Sequence, residues 1–216
     1  MTLASFGPVV IEADATVLTP RQWTLAQSAW AAELAADARA GPILELCCGA
    51  GQIGLAAAQL SGRALVQVDR DPRACAWARR NADRNGIASD VRNAPVDDAL
   101  RDDERFALVI ADPPYLRSAE VARYPEDPPL AIDGGHDGLA LIDTCLSVAE
   151  RHTEIGALTL LQVRGTAQAE VVHDLVERRG HPFVLEAVRA ETDERAVVLL
   201  RRVAAFTAEF LDTGAG

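Results

Sequence analysis

Between the apolar run Ile43-Leu44-Glu45-Leu46-Cys47-Cys48 and an alanine-rich stretch with helical patterning lies Gly49-Ala50-Gly51-Gln52-Ile53-Gly54. Three glycines at this spacing, directly after a strand pattern and directly before a helix pattern, leave few folds open. Glycine frees the backbone for a tight turn and removes the Cβ where strand and helix must approach closely. The strand it follows is apolar on both faces apart from Glu45, as expected of a strand buried inside a parallel sheet.

The rest of the chain supplies that sheet. Ala64 to Asp69, Ala88 to Asn93, Phe106 to Ala111 and Gly156 to Val163 read as further strands. Helices are predicted from Gly51 to Leu60, from Pro72 to Asn85, from Asp137 onward and from Thr166 to Arg179. Pro72 suits a first helical turn, and Gly86 and Gly180 stand just past two helix ends. The acidic run Asp97 to Glu104 predicts a short helix and loop, and Leu116 to Gly135 a long loop. Phe183 to Ala190 and Arg195 to Val203 are joined by Glu191 to Glu194, too short for a crossover helix, so they are expected to be antiparallel neighbours. Upstream, residues 7 to 18 predict two short strands around Ala13-Asp14-Ala15. A helix follows from about Gln22 to Arg39, with Leu25, Ala29, Ala32 and Ala36 on its apolar face. The expected fold is α/β, a doubly wound, seven-stranded, mostly parallel sheet with one antiparallel strand near the C-terminus. Residues 1–40 form a hairpin and helix packed on the core, 41–205 the main domain, and 206–216 a tail expected to fray.

A second constraint comes from Asp112-Pro113-Pro114-Tyr115, which follows Phe106 to Ala111. Two prolines end the strand, because proline has no ladder donor and fixes its own φ. A carboxylate, rigid carbonyls and an aromatic ring are thereby displayed at the carboxyl edge of the sheet, where open α/β sheets bind ligands. The bland alternative is an acidic strand-terminating turn.

The glycine run also has two readings. With Asp69 at the end of the next strand, it matches the dinucleotide fingerprint, the acid accepting bonds from ribose hydroxyls. Glu45 points elsewhere, since an anion four positions before Gly49 is unfavourable beside a pyrophosphate. It suits an adenosine ligand that carries a positive sulfonium and an amino group.

Taken together, residues 45 to 51, Val68-Asp69 and Asp112-Pro113-Pro114-Tyr115 resemble the class I S-adenosylmethionine-dependent methyltransferases that act on amino groups. More narrowly, the chain is similar to the glutamine N5-methyltransferases of polypeptide release factors. Val17 to Thr24 resembles that family's proline-arginine segment, Asp127 to Ile132 its acidic-proline loop, and Gly134 to Leu139 its glycine-rich helix entry. The resemblance covers about residues 7 to 203 and implies a Rossmann-like methyltransferase domain with S-adenosyl-L-methionine as cofactor. It implies cofactor contacts from Glu45, Cys47, Gly49, Gly51, Ile53, Asp69, Arg70, Val96 and Asp112. Catalysis would fall to Asp112, Pro113, Pro114 and Tyr115, and substrate contacts to Pro20, Arg21 and Tyr115. The chain departs from the pattern at Cys47, where glycine is commoner, and at Asn93 to Val96, where an acid is common. It also carries Asp112 where the release-factor branch typically has asparagine; relatives acting on nucleic-acid bases more often have aspartate. Only about 40 residues precede the first core strand, which resembles a short form without the helical docking domain.

The implied partner is a protein with an exposed glutamine, a release factor among the possibilities. Methylation of an exocyclic amine on a nucleic-acid base, methylation of a small metabolite, and cofactor binding without catalysis stand as alternatives. The net charge of −11 weighs against broad nucleic-acid binding. No apolar stretch reaches the roughly 20 residues of a membrane span, and no secretory pattern opens the chain, so a cytoplasmic location is expected. The four cysteines and four histidines lack metal-ligand spacing, so no metal is expected; the histidines read as surface or loop residues, and Trp23 and Trp30 as packing.

Overall fold

The computed structural model describes residues 1–204, and the predicted frayed tail lies outside the described residues. An N-terminal hairpin, β1 (Thr2–Phe6) and β2 (Val9–Ala13), precedes α1 (Leu25–Asp37). Then come β3 (Ile43–Leu46), α2 (Gln52–Ser61), β4 (Leu65–Asp69), α3 (Pro72–Asn85), β5 (Ser89–Asn93) and β6 (Phe106–Ala111). The chain continues through α4 (Pro129–Ile132), α5 (Ala140–His152), β7 (Thr153–Val163), α6 (Gly165–Arg179), β8 (Phe183–Thr192) and β9 (Arg195–Arg202).

The expected seven-stranded sheet is present, in the order β5-β4-β3-β6-β7-β9-β8. Only β9 is reversed: it pairs antiparallel with both β7 and β8, so β8 again runs with the parallel strands. One core cluster joins α1, α2 and α3 to Leu108, Ile110 and Leu160 on one face. A second joins α5 and α6 to Val109, Ala111 and Leu161 on the other. Every residue of β6 is buried, which accounts for its unbroken apolar sequence.

Local expectations fail in instructive places. The hairpin turns at Gly7-Pro8, with Phe6 opposite Val9, and not around Ala13 to Ala15. Gly7 at φ 55 followed by proline suits a two-residue turn with a left-handed first position. Asp14 instead accepts bonds from the Thr16 amide and the Trp77 indole, closing a local turn. The helix predicted from Gln22 starts as a 3-10 turn, Gln22–Thr24, and buries a different face: Gln27, Ser28, Trp30, Ala31 and Ala35. Ser28 donates to the Ile53 carbonyl and Trp30 fills the core, so polar partners and side-chain volume outweigh the alanine periodicity. Asp97 to Glu104 forms turns without a helix. The loop from Leu116 to Gly135 contains a 3-10 segment, Ser118–Arg123, and α4, and its ends are joined by a bridge between Leu116 and Asp133. Helix α5 opens at Ala140, three positions after Asp137, while Asp137 accepts the Leu139 amide. One histidine is neither a surface nor a loop residue: His152 is buried at the end of α5, whereas His181 lies in the loop after α6, its ring between Asp143 and Glu150.

A ladder of two asparagines locks the hairpin to the core. Asn85 accepts from the Val10 amide at 2.8 Å and donates to its carbonyl at 2.9 Å. One turn earlier, Asn81 does the same with Glu12, at 2.8 and 2.9 Å, and also donates to Ala50. Four helical residues rise about 6 Å, close to two strand residues, so α3 can mimic a neighbouring strand along the edge of β2. Because Asn81 is fully buried and makes three such bonds, Asn81→Ala is expected to lower unfolding stability by about 3 kcal/mol. Asn85→Ala should cost less, about 1 kcal/mol, its two bonds to Val10 being exposed. Urea unfolding checks both; equal losses would contradict the ladder's role.

Candidate active site

The parallel register of β3 and β6 sets Leu46 opposite Ala111. The two chains therefore leave the sheet side by side, one into Cys47 and the glycine loop, the other into Asp112-Pro113-Pro114-Tyr115. Cys47, at φ 59, is the only described non-glycine residue with positive φ, a conformation that costs an L-residue on the order of 1 kcal/mol. Gly51 takes φ 85 as α2 begins. Gly54 has no such requirement; a Cβ there would run into the Glu45 carboxylate.

Two cavities open along this edge. The first is lined by Cys47, Gly49, Ile53, Asp69, Arg70 and Val96, roofed by Val17, Leu18, Leu130 and Ala131, and bounded by Asp112 and Pro114. The second is lined by Pro20, Arg21 and Trp23, by Asp112 through Leu116, by Tyr124 and Asp127, and by Arg164 and Arg195. Leu18, Asp112, Pro114 and Ala131 belong to both walls. The sequence-predicted residues thus come together around one junction, with two exceptions. Glu45 and Gly51 lie beneath the first cavity, outside its lining.

Glu45 is buried and holds the loop from below. One carboxylate oxygen accepts the Gly54 amide at 2.9 Å and the other the Gln67 side-chain amide at 2.5 Å. Gln67 also donates to Gly51 and accepts from Ser89. Burial, against those bonds, pushes the Glu45 carboxyl up to about 8, with Asp112 and Asp69 adding to the rise. Asp69 accepts the Gly49 amide at 2.9 Å and the Asp71 amide at 2.9 Å, and burial raises its pKa. Asp112 has no hydrogen-bond partner among the described residues, and burial alone lifts its carboxyl to about 7. Three acids that resist ionisation make a site that a cationic ligand would relieve.

The outer wall is a strap, residues 116–135. Its ends are pinned by bonds between Leu116 and Ile132 and between Gly134 and Leu116. Arg21 grips Asp127 at 2.6 and 2.8 Å, and Arg164 reaches Glu120 at 2.9 Å and Glu194 at 3.1 Å. Burial raises the Tyr115 hydroxyl well above its usual range, and Gln168 holds the Tyr115 carbonyl at 3.0 Å. Gln27, fully buried, donates to Ala111 and Leu160 at 3.1 Å each and ties β6 to β7 just before Asp112. Trp23 is half-buried on the wall of the second cavity, so of the two indoles expected to pack only Trp30 lies in the core. Gln27, Gln67, Arg164 and Arg195 escape sequence reasoning. Gln67, an uncharged polar residue inside the apolar strand Leu65 to Val68, was the visible signal for one of them.

A family model for the methyltransferase small domain matches residues 13–124. The release factor glutamine methyltransferase of Geobacter sulfurreducens is 33% identical over 147 residues, 65% of this chain and 51% of that protein. The one from Streptomyces coelicolor is 32% identical over 211 residues, 90% of this chain and 74% of that protein. The chain thus spans about half the length of the first relative. Among solved structures, the hMettl16 catalytic domain in complex with the MAT2A 3'UTR hairpin 1 aligns with a TM-score of 0.74. That alignment covers 91% of this chain and 75% of that one at 14% identity, a likeness of fold.

The Glu45 brace has a pH signature. Its carboxyl holds a proton more tightly folded than unfolded, so its contribution is complete below the ordinary value of 4.5 and is lost as pH rises through about 8. Unfolding stability of the wild type is therefore expected to fall between pH 5 and about 8.5. Glu45→Gln should flatten that slope; parallel curves for the two proteins in urea titrations would contradict the assignment.

Proposed function

The chain belongs to the methyltransferase small-domain family, alongside release factor glutamine methyltransferases, and from that premise we propose that it is an S-adenosylmethionine-dependent N-methyltransferase of a protein glutamine side chain, a release factor being the leading candidate. The observation that carries this reading is the placement of Asp112 and Pro114 where the two cavities meet. One cavity has the features of a cofactor site and the other those of an acceptor site.

The first cavity fits the cofactor. A Cβ on Gly49 would meet nothing within 4 Å, so the loop backbone faces open space there. Asp69 stands at the strand end to receive ribose hydroxyls, and Ile53 and Val96 offer apolar walls to a purine. The crowded acids complement a sulfonium and an ammonium. When bound, S-adenosylmethionine supplies an electrophilic methyl group. Cys47, Gly49, Ile53, Asp69, Arg70, Val96 and Asp112 would hold it, with Glu45 and Gly51 shaping the loop from below.

In the second cavity the task is to position a poor nucleophile, since an amide nitrogen shares its lone pair with the carbonyl. The Asp112 carboxylate and the Pro113 carbonyl would accept the two N–H bonds of the glutamine amide and turn the nitrogen toward the first cavity. Pro114 fixes the turn, and Tyr115 packs against the planar group. Positive charge developing on nitrogen is stabilised by Asp112, which can take the proton the nitrogen releases on gaining the methyl. Pro20 and Arg21 border the entrance, Arg21 by anchoring the strap. The second reading, methylation of an exocyclic amine on a nucleic-acid base, draws on Asp112 in place of asparagine, and the charge of −11 opposes it. A translation-factor acceptor implies action in the cytoplasm, and no described helix is long and apolar enough to cross a membrane.

Calorimetry should show S-adenosylhomocysteine binding and no NAD binding; the reverse would sink the cofactor assignment. Tritiated methyl is expected to enter purified release factor and not tRNA, rRNA or DNA. Taking up the proton that the nitrogen releases requires ionised Asp112, so kcat/KM should rise with pH through about 7. Asp112→Asn, which keeps an acceptor oxygen but no basic one, should retain reduced transfer and lose that inflection. Asp112→Ala should cut kcat/KM by about 100-fold or more, with a much smaller loss of affinity for S-adenosylhomocysteine, which lacks the sulfonium charge.

A further inference from the structure

A groove runs between the start of α1 and the β8–β9 ribbon, lined by Trp23, Ala26, Trp30, Gln162, Arg189 and Arg195. Trp23 and Arg195 also line the acceptor cavity, so the two spaces share a wall. Resting on the N-methyltransferase reading above, we propose that this groove is a subsite for the residues flanking the acceptor glutamine in a polypeptide substrate.

Two independent features show a surface built for an occupant. Arg195 lies over the Trp23 ring at 5.0 Å and has no carboxylate partner among the described residues. Its neighbours differ: Arg21, Arg164 and Arg189 hold Asp127, Glu120 and Glu33 respectively. Gln162 is 1% exposed, lines the groove and keeps its side-chain carbonyl oxygen without a partner, its amide nitrogen reaching only the Val163 carbonyl at 3.3 Å. That oxygen is one of five buried side-chain polar atoms without a partner among the described residues, and the one whose residue lines this groove.

A polypeptide matches both. Its N–H groups can donate to Gln162, and its carbonyls or an acidic side chain can accept from Arg195. The half-buried Trp23 indole offers an apolar wall to the chain between those points, while Trp30, 4% exposed and covered by Arg189 at 4.1 Å, closes the groove from the core side. A nucleic acid matches poorly, since Glu191 lines the same groove and Glu33 stands on its Arg189 rim, in a chain of net charge −11.

The test compares methyl transfer to a minimal capped glutamine with transfer to peptides extended by about five residues on either side, long enough to leave the acceptor cavity. In the wild type, one direction of extension is expected to raise kcat/KM about tenfold, the scale of one charge-assisted hydrogen bond. In Gln162→Met and in Arg195→Ala that ratio should fall to within about twofold of one, with S-adenosylhomocysteine binding by calorimetry confirming a folded protein. An extension effect equal in all three proteins, or absent from a wild type that still methylates the minimal glutamine, overturns the subsite alone. Single-stranded oligonucleotides that abolish the extension effect in the wild type but not in Arg195→Ala would give the groove to nucleic acid and overturn it too. Failure of the wild type on every glutamine compound would remove the parent reading along with it.

Discussion

The in-register parallel pairing of β3 with β6 is the constraint on which the site depends. Leu46 stands opposite Ala111, so the next residues of the two strands, Cys47 and Asp112, emerge together at one edge. A shift of the register by one residue would turn the slipped strand's side chains to the opposite face and separate loop from carboxylate. Several interactions defend it. Both strands are fully buried, and Gln27 clamps the Ala111 and Leu160 carbonyls where β6 meets β7. The prolines then end β6 within one residue of the junction.

Electrostatics give the junction its character. Glu45, Asp69 and Asp112 all have raised carboxyl pKa values, with burial the first cause in each case. They are not equivalent. Glu45 spends one oxygen on the Gly54 amide and the other on the Gln67 side chain, and Asp69 takes one backbone amide on each oxygen, so both shape the loop. Each Asp69 oxygen keeps a lone pair for a ligand hydroxyl. Asp112 spends none on the described protein, which leaves its carboxylate for a ligand. Asp112 is half-buried, and a desolvated carboxylate without partners is costly; such a cost persists at positions where binding requires it.

Much of this was legible in the sequence wherever the signal was local. The glycine spacing, the proline pair after an apolar strand and the short connection between the last two strands each encode their own structure, and the sheet follows from their alternation. Long-range partners were not legible. Nothing around Asn81 announces that it will pair with Glu12, or around Gln27 that it will reach Ala111, because those contacts exist only once the layers have packed. The hairpin was misplaced for a related reason: Ala13-Asp14-Ala15 resembles a turn locally, and Gly7-Pro8 is one only with Phe6 and Val9 paired. Glu45 was legible as significant, yet its burial beneath the loop came from the tertiary structure.

The central claim is that one residue, Asp112, faces a cofactor on one side and a planar amide on the other. The most direct measurement is a crystal structure with S-adenosylhomocysteine and a glutamine-containing peptide bound together. The account predicts the ribose on Asp69, the sulfur beside Asp112, and the glutamine amide within hydrogen-bond reach of the Asp112 carboxylate and the Pro113 carbonyl. An amide bound away from Asp112, or S-adenosylhomocysteine lodged in the cavity of Arg21 and Trp23, would contradict it.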